Sequence, residues 1–441
     1  MLRGRIELTY TESLEYLNDL AKFGIKPGLD RIISLLNRLG NPQNKYKTIH
    51  VTGTNGKGSV TNMLASILSV SGCSTGAFTS PHLFRYNERM TIDSGEISDE
   101  DFAAIATIVR GYVEAMLDDN EECPTQFEFL TAMAFFYFAR KGVDYAVIEV
   151  GLGGLLDSTN VVQPEIAVIT NVTLEHADKC GGTLEGVAYH KAGIIKNGIP
   201  VVSGAEGIAV NIIAKRANEL KSPLYLNGRD FSVKKISDDR DGMGLVYKES
   251  GNMELSYGLK MLADYQVGNS AIAVKSARLI SQKDDRITTD AIIKGMASAF
   301  WPGRFEVLSL KGHKIVIDGA HNPAGVEALR RSLDLRFPNE KRLYLLGILR
   351  DKAVASMIGL LLRPGDRVVV TSPDSDRAAT PEEIAVRIHD AEVIAVSGER
   401  ARALDIAIEQ QNHDELLVVT GSLYLIGYIR KILTKKLGGN R

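Results

Sequence analysis

Two hydrophobic patterns alternate along the chain. Short β-branched runs predict strands, and between them lie segments whose apolar residues recur every three or four positions, as on one face of a helix. In the first part of the chain the predicted strands are 48–52, 75–79, 145–150, 166–171 and 199–203. Strands that alternate with helices form parallel sheets covered by those helices. The pattern therefore predicts a parallel sheet with helices on both faces.

The pattern changes between residues 223 and 260, where short alternating segments surround polar turns. This predicts an antiparallel β-hairpin insert. Helical patterns follow near 264–281 and 288–299, and the turn at 301–304 ends the helical periodicity. A second series of strands is predicted at 314–318, 342–347, 366–371, 392–396 and 415–419.

The length of the chain, 441 residues, exceeds the size at which single hydrophobic cores stop growing, so two domains are expected. We predict an α/β protein. Residues 1–300 would form an N-terminal parallel-sheet domain that includes the insert. Residues 301–441 would form a smaller C-terminal α/β domain of Rossmann-like type.

Composition narrows the classes of function. The 52 basic and 54 acidic residues give a net charge of −2, which argues against broad binding to nucleic acid or to an acidic membrane. Three cysteines, Cys73, Cys123 and Cys180, form neither a disulfide framework nor a zinc motif, which favours a reducing cytoplasm. The N-terminus lacks a signal-peptide pattern, and no segment approaches the roughly 18 apolar residues of a membrane span.

A glycine-rich turn between an apolar strand and an amphipathic helix is the strongest chemical signal. It consists of Gly53, Thr54, Asn55, Gly56, Lys57, Gly58 and Ser59. Backbone amides at such a helix start point at anionic oxygens, a lysine adds charge, and a hydroxyl can reach Mg²⁺ or phosphate. The sequence therefore predicts a P-loop-type phosphate site, although only two residues separate Gly53 from Gly56. A glycine turn without a ligand is the alternative.

Other polar residues stand where predicted strands end, which is where ligands collect in parallel sheets. Glu149 ends one strand, and His176 follows another. A carboxylate and a neutral imidazole can hold Mg²⁺, but a salt-bridged Glu149 and a hydrogen-bonded loop histidine remain alternatives. Asp318 and His321 likewise end a strand before a helix.

Two further cations have both functional and structural interpretations. Arg304 lies at the predicted domain junction, where closure could bring its guanidinium onto a phosphoryl group. The alternative is a linker arginine paired with a surface acid. Lys191, taken alone, is an ordinary helix lysine or a phosphate contact.

Several stretches together resemble the dihydrofolate synthase and folylpolyglutamate synthase family of the Mur ligase superfamily. They occur in the family's order along nearly the whole chain. The matching stretches are 53–59, 80–83 with Glu88-Arg89, 149–154, 156–160, Thr170-Asn171 with His176, 191–196, 302–304, 318–323, Asp351-Lys352 and 420–424.

The resemblance implies specific roles for residues of this chain. It implies ATP contacts from residues 53–59, Asn269, Arg304 and Asp318, and Mg²⁺ ligands at Ser80, Glu149 and His176. In the superfamily the lysine that matches Lys191 is carbamylated and supplies anionic oxygens to the metal. The predicted catalytic residues are Lys57, Lys191, Arg304 and His321. The predicted substrate-binding residues are Gly24, Ile25, Lys26, Pro27, Thr125, Phe127, Leu156, Asp157, Ser158, Ser422 and Tyr424.

The reaction implied is ATP-dependent amide formation between a dihydropteroate or folate carboxylate and L-glutamate, by a monomer, through an acyl phosphate. Three positions depart from the family pattern. Leu155 replaces an arginine, His190 a glutamate and Tyr265 a histidine. A different carboxylate acceptor is therefore an alternative hypothesis, and a non-catalytic ATP-binding module is a third. The sequence leaves open whether the enzyme makes dihydrofolate, extends polyglutamate tails or does both.

Overall fold

The structure, a computed structural model, describes residues 7–175, 177–239, 242–251 and 253–438. Strands β1–β17 follow in chain order. They are Lys47–Thr52, Thr75–Phe78, Met90–Ile92, Gly95–Glu96, Tyr145–Glu149, Ile166–Ile169, Val201–Ser203, Leu224–Leu226, Phe231–Asp238, Met243–Glu249, Met253–Leu259, Glu306–Leu310, His313–Ile317, Lys341–Leu346, Arg367–Val370, Glu392–Val396 and Glu415–Thr420.

Helices separate most of the strands. Helices α1–α14 are, in order, Tyr10–Ala21, Asp30–Arg38, Lys57–Val70, Asp99–Asp118, Gln126–Lys141, Leu184–Ala192, Ile208–Glu219, Tyr265–Ser281, Thr289–Ser298, Pro323–Arg336, Val354–Leu361, Pro381–Ala385, Arg400–Gln410 and Leu423–Lys436. None of the described helices is long and apolar enough to cross a membrane.

A large sheet organises the first part of the chain. Its strand order is β4-β3-β2-β5-β1-β6-β7-β8, and β2, β5, β1, β6, β7 and β8 are parallel. Successive side chains of β1 point to opposite faces, as in any strand. Ile49 and Val51 join the core formed with α3, while His50 on the other face bonds Thr159. Because both faces carry helices, the predicted sheet architecture is confirmed.

The segment 223–260 differs from its prediction in two ways. Leu224–Leu226 is a parallel edge strand of the large sheet, paired with β7. The rest is a three-stranded antiparallel sheet, β11-β10-β9, rather than a single hairpin. The third strand buries Leu255, Tyr257 and Leu259 in the same core as the inner face of β10. That shared apolar face explains why three strands form.

A second sheet, with order β12-β13-β17-β14-β15-β16, organises the rest of the chain. All its pairs are parallel except β12 with β13. Strand β12 was not predicted, because its apolar alternation is short and follows directly on a turn. Apolar cores lie on both faces of this sheet. We call β12–β17 with α10–α14 the C-terminal lobe, and the preceding elements the N-terminal lobe. The α/β fold class is confirmed.

The two lobes meet over the glycine turn. Gly427 of α14 lies so close to the loop after β2 that a Cβ added there would be 2.0 Å from the Leu83 carbonyl oxygen. The Trp301 indole, in the connection between the lobes, packs on Gly58 at the start of α3. The turn is therefore enclosed by elements of both lobes. The boundary predicted after residue 300 stays a prediction.

Candidate active site

The turn between β1 and α3 has space only for glycine at two positions. Gly53 has φ +155°, and a Cβ there would lie 1.8 Å from Thr170 Oγ1. Gly56 has φ +84°, and a Cβ there would lie 2.4 Å from Asn269 Oδ1. The backbone therefore approaches β6 and α8 more closely than any side chain would allow.

The start of α3 offers unpaired donors. Its N-cap, Gly56, provides no side-chain acceptor, so the amides of the first turn lack partners within the helix. Lys57 Nζ donates to the carbonyl oxygens of Gly53 and Thr54, both at 3.1 Å, which holds the ammonium over the turn. Unpaired amides beside a cation fit phosphate oxygens. The residues present thus fit the predicted phosphate site.

The Asn171 side chain holds the part of this turn that precedes α3. Its Oδ1 accepts hydrogen bonds from the amides of Thr54 and Asn55, at 3.2 and 2.9 Å. Sequence reasoning gave Asn171 no role, although its position two residues after the end of β6 was a signal. The residue acts by holding the turn rigid.

Helix α8 supports the turn from the other side. Gln266 Nε2 donates to Ser59 Oγ at 3.1 Å, and Asn269 Nδ2 donates to Gln266 Oε1 at 2.8 Å. This chain places Asn269, a predicted ATP contact, directly against Gly56. Its amide therefore faces the same space as the turn.

One cavity of about 280 Å³ collects most of the predicted ATP and metal residues. Both lobes line it. Its lining includes Gly53, Thr54, Asn55, Gly56, Lys57, Gly58, Ser59, Ser80, Glu149, Lys191, Asn269, Arg304, Asp318 and His321. We call it the nucleotide cavity. Ser422 and Tyr424 do not line it.

Glu149 is the buried acid of this cavity. It ends β5, only 4% exposed, and its Oε2 accepts the Ser80 amide at 3.2 Å. Burial raises the pKa of the Glu149 carboxyl to about 7, while the charges of Lys57 and Arg304 oppose that rise. The carboxylate and the neighbouring Ser80 hydroxyl are hard oxygens that suit Mg²⁺.

The described residues do not include all of the predicted metal ligands. His176 lies outside them, and within the described ranges no three His, Cys, Asp or Glu side chains cluster as a metal site. Glu149 and Ser80 are adjacent, as a shared ligand role requires. Their role with His176 stays a prediction.

Lys191 is buried beside the same cavity. It lies in the last turn of α6, is 5% exposed and is near Lys57. Burial, helped by the Lys57 charge, lowers the pKa of the Lys191 ammonium to about 7. A fraction of this lysine is therefore a neutral amine near neutral pH.

Arg304 presents its guanidinium to the cavity. Within the described part of the chain it makes no hydrogen bond or ion pair, so a linker arginine paired with a surface acid is not what the structure contains. Its charge lowers the pKa values of Asp318 and Glu149, against the effect of their burial. Arg304 and Lys57 therefore line one cavity and act on one carboxylate.

The ends of C-terminal strands supply Asp318 and His321. Asp318 accepts hydrogen bonds from the Tyr265 hydroxyl at 2.7 Å and from the amides of Phe305 and Ala320, both at 2.8 Å. His321 Nδ1 lies 2.8 Å from the Gly319 carbonyl oxygen, which assigns the ring proton to Nδ1. Burial lowers the pKa of His321 to about 4, so the imidazole is neutral near pH 7.

Glu175, which sequence reasoning missed, joins the lobes beside His321. Its carboxylate accepts hydrogen bonds from Lys352 Nζ at 3.1 Å and Asn322 Nδ2 at 2.7 Å. Asn322 Nδ2 also donates to Asn55 Oδ1 at 3.0 Å. The sequence around Glu175 does not indicate this role, because its partners Lys352 and Asn322 belong to the other lobe.

The predicted acceptor residues lie together in the N-terminal lobe. Arg31 Nη2 donates to the Lys26 carbonyl oxygen at 2.7 Å, and Arg31 Nε pairs with Glu128 at 3.1 Å, so the loop 24–27 adjoins the start of α5. Thr125 caps that helix. The Phe127 ring lies against Gly151, as does the Asp157 carboxylate.

Several of these residues also have structural partners. Asp157 is buried and accepts the amides of Leu152 and Thr159 at 2.8 and 3.0 Å. Ser158 Oγ bonds Thr131 Oγ1 at 2.8 Å. Leu156 and Ile25, by contrast, are exposed by 42% and 64%.

The predicted residues of α14 lie next to this region. Ser422 is buried and caps the helix, where its Oγ accepts the Tyr424 amide at 3.2 Å. The Tyr424 hydroxyl is near Tyr86 and Arg89. Neither residue lines the nucleotide cavity, and their substrate-binding role stays a prediction.

The three departures from the family pattern have defined neighbours. The Leu155 amide donates to the His190 carbonyl oxygen at 2.8 Å, so these two departures adjoin. The Leu155 side chain packs on Gly193 at the end of α6. Tyr265 is the residue that bonds Asp318.

Comparisons with known proteins agree with this architecture. Residues 51–277 match the Mur ligase middle domain, and residues 303–423 match the Mur ligase glutamate ligase domain. The chain is 37% identical over 435 residues to the folylpolyglutamate synthase of Lacticaseibacillus casei, covering 98% of this chain and 100% of that protein.

Two further relatives extend the likeness. The dihydrofolate synthase/folylpolyglutamate synthase of Bacillus subtilis is 33% identical, with coverage of 96% and 99% of the two chains. The structure of Escherichia coli FolC in complex with DHPP and ADP superposes with a TM-score of 0.87 at 28% identity, covering 97% and 98%. The chain therefore belongs to the folylpolyglutamate synthase and dihydrofolate synthase family of Mur ligases.

Proposed function

We propose that this protein joins L-glutamate to the carboxyl group of a pteroate- or folate-type acceptor. As a member of its family it is an ATP-dependent acid–amino-acid ligase, and ATP and Mg²⁺ are its cofactors. The observation that carries the proposal is the nucleotide cavity, which brings Lys57 and Glu149 of one lobe together with Arg304 beside the other.

The chemistry proceeds in two displacements. The acceptor carboxylate attacks the γ-phosphorus of ATP, the bond to the β–γ bridging oxygen breaks, and ADP leaves. The amine of L-glutamate then attacks the resulting acyl phosphate, and inorganic phosphate leaves as the amide forms and a proton is lost. Both steps develop negative charge on phosphoryl oxygens, so cations and amide donors accelerate them.

The residues of the chain fit that requirement. The first-turn amides of α3 and Lys57 hold phosphate oxygens, and Arg304 approaches from the connection between the lobes. Ser80 and Glu149 would hold Mg²⁺, which neutralises phosphate charge when bound. Asn269 and Asp318 contribute the remaining nucleotide contacts, and His321 faces the reaction side as a neutral imidazole.

Lys191 is the proposed carbamylation site. A neutral amine is the form that reacts with carbon dioxide, and burial makes this form accessible near neutral pH. With labelled bicarbonate, we expect a carbon-13 carbamate resonance in the wild type that is missing in Lys191→Gln. A spectrum identical in both proteins would refute the modification.

The acceptor is proposed to bind between the loop 24–27, Thr125, Phe127 and the segment 156–158. Escherichia coli FolC, a relative over nearly the full chain, is described in complex with DHPP. An aromatic ring and a buried carboxylate suit a flat heteroaromatic ligand. Ser422 and Tyr424 would close this site from the C-terminal lobe. A non-folate acceptor, suggested by Leu155, His190 and Tyr265, is not favoured, because these relatives carry folate names.

The deciding experiment is an acceptor panel read by product mass. We expect ADP release only when Mg²⁺, L-glutamate and either dihydropteroate or a folate are all present. The mass of each product shows whether one glutamate is added, a tail is extended, or both. ADP release that needs no acceptor would overturn the proposal.

Two further properties belong to the proposal. Both lobes of one chain line the nucleotide cavity, so a monomer suffices, and size-exclusion chromatography with light scattering tests this. The three cysteines are free thiols, which suits a reducing cytoplasm. Fractionation of the source cells tests the location.

A further inference from the structure

Arg89 has an unusual position beside the acceptor site. It ends the 3₁₀ turn Tyr86–Arg89, after the loop that carries Ser80. Its Nε donates to His82 Nδ1 at 2.9 Å, and the guanidinium carbon lies 5.3 Å from the centroid of the Tyr86 ring. Because Nδ1 accepts, the ring proton of His82 is assigned to Nε2. Two aromatic residues thus hold the guanidinium in one orientation.

No described carboxylate forms a direct ion pair with this guanidinium. Across the described ranges, Arg89 takes part in no ion pair, whereas nearby Arg85 pairs with Asp99. The terminal nitrogens of Arg89 make no hydrogen bond there, yet they are not sealed from solvent. A guanidinium largely withdrawn from water is stabilised when an anion joins its unused donors. Burial accordingly lowers the pKa of Arg89.

The acids nearest to Arg89 have other partners. Glu88 accepts the amides of Leu83, Phe84 and Arg85 at 2.7 to 2.8 Å. Glu149 faces the nucleotide cavity and accepts the Ser80 amide. The Tyr86 and Tyr424 hydroxyls are the other titratable neighbours, and burial raises the pKa of Tyr86. Among the described residues, therefore, no carboxylate is left to pair with the Arg89 guanidinium.

The connections of Arg89 lead to the acceptor side. Its supporting ring, Tyr86, accepts a hydrogen bond from Gln126 Nε2 at 3.1 Å. Gln126 stands between Thr125 and Phe127, which are proposed acceptor residues. The Glu149 charge also acts on Arg89, so the guanidinium is within electrostatic reach of an acid that lines the nucleotide cavity.

We propose that Arg89 binds the reacting carboxylate of the acceptor and that His82 is its positioning residue. This inference rests on the proposed function. A guanidinium offers two parallel donors to a carboxylate, so it both fixes the plane of the nucleophile and offsets its repulsion from Glu149. Residues 24–27, 125–127 and 156–158 would then bind the pterin end of the acceptor, and Arg89 would bind its reacting carboxylate.

The test compares two ligands on two proteins. Dihydropteroate and its carboxamide are titrated calorimetrically into wild type and Arg89→Met, both with MgADP. We expect Arg89→Met to bind dihydropteroate roughly 10- to 100-fold more weakly, as loss of a charged hydrogen-bonded pair predicts. Affinity for the uncharged carboxamide should change less than about threefold. Equal losses for both ligands would mean a structural role and would overturn the proposal.

Kinetics separate the two carboxylate substrates. Arg89→Met should raise KM for the acceptor while KM for L-glutamate stays the same. A raised KM for L-glutamate alone would assign Arg89 to the amino acid and refute the inference. His82→Ala should also raise KM for the acceptor but not KM for L-glutamate, by a smaller factor. Arg89→Lys should bind the acceptor more tightly than Arg89→Met does. If Arg89→Met does not fold, Arg89→Lys with the same ligand pair decides.

Arg110→Met is the matched control. Arg110 also lies over a tyrosine ring, 5.4 Å from the centroid of Tyr16, but it has its own carboxylate, Glu114, at 2.7 Å. Its loss should change binding of neither ligand.

If wild type turns over no pteroate or folate acceptor, the proposed function fails. If wild type is active and Arg89→Met behaves like Arg110→Met, only this inference fails.

Discussion

The Tyr265 hydroxyl donates a 2.7 Å hydrogen bond to the Asp318 carboxylate. Tyr265 begins α8 in the N-terminal lobe, and Asp318 follows β13 in the C-terminal lobe. Because Asp318 lines the nucleotide cavity, this bond joins the two lobes at the cavity wall, and we predict that it couples their relative position to nucleotide binding.

Removing that hydroxyl should weaken both the lobe contact and nucleotide binding. In Tyr265→Phe the buried carboxylate keeps two backbone donors but loses its third, a cost of about 1.5–3 kcal/mol for a hydrogen bond to a charged group. We expect a lower thermal midpoint and a higher KM for ATP. Tyr247→Phe is the control, since it removes a 2.7 Å bond to Glu249 away from the cavity. An unchanged KM for ATP in Tyr265→Phe would contradict the coupling.

Glu149 should make the stability of the metal- and nucleotide-free protein depend on pH. Burial raises its pKa from 4.5 in the unfolded chain to about 7. Between those values the folded state holds a proton that the unfolded state releases, so this group's contribution to stability falls as pH rises through the window. The loss is on the order of 3 kcal/mol.

The measurement compares wild type with Glu149→Gln, which cannot ionise. Denaturation at pH 4.5 and at pH 8 should show wild type losing stability relative to Glu149→Gln as pH rises. Histidines with lowered pKa values, such as His321, act in the opposite direction but cancel in the difference. A constant difference across the range would show that Glu149 is solvated.

Arg304 should affect turnover more than ATP binding. Its guanidinium is unpaired among the described residues and lines the cavity, ready for charge that develops on the phosphoryl group. We expect Arg304→Met to lower kcat by at least about 100-fold, since arginines in this role contribute roughly 10³–10⁵. ATP affinity, measured by calorimetry, should change much less. Arg331→Met, a change at a side chain 75% exposed, is the control and should leave kcat unchanged.

Gly53 should tolerate no side chain. In Gly53→Ala the new Cβ would meet Thr170 Oγ1 at 1.8 Å, so the turn must move and nucleotide affinity should fall by about 100-fold or more. Gly72→Ala provides the comparison, because Gly72 also has a positive φ, +79°, but nothing within 4 Å. Its cost should be only the left-handed backbone penalty, about 1–2 kcal/mol of stability, with ATP binding intact. Equal ATP affinities for the two variants would disprove the close fit.

Local patterns predicted the features that depend on neighbouring residues in sequence. The glycine turn is recognisable because β1, the turn and α3 are consecutive, and strand ends such as Glu149 follow from the apolar runs. Strand β8 was wrongly assigned to the antiparallel insert, and the third strand of the small sheet was missed. Their pairing depends on partners and shared cores that alternation alone does not reveal.

The site residues that sequence reasoning missed act through distant partners. Asn171 matters because it reaches Thr54, 117 positions away, and Glu175 because it reaches Lys352, 177 positions away. Arg89 was part of a matching stretch, but the sequence gave it no role, because the absence of a paired carboxylate is visible only in the structure. The roles of the predicted site residues themselves stay predictions, although the structure brings most of the ATP and metal residues to one cavity.

The contact between Gly427 and Leu83 ties the movement of α14 to the loop that begins at Ser80. The backbone atoms there touch without an intervening side chain, so the loop and the helix must shift together. A rotation of the C-terminal lobe would thereby move the loop that carries Ser80. If Ser80 holds Mg²⁺ as proposed, separation of the lobes during product release would also move one of the metal ligands.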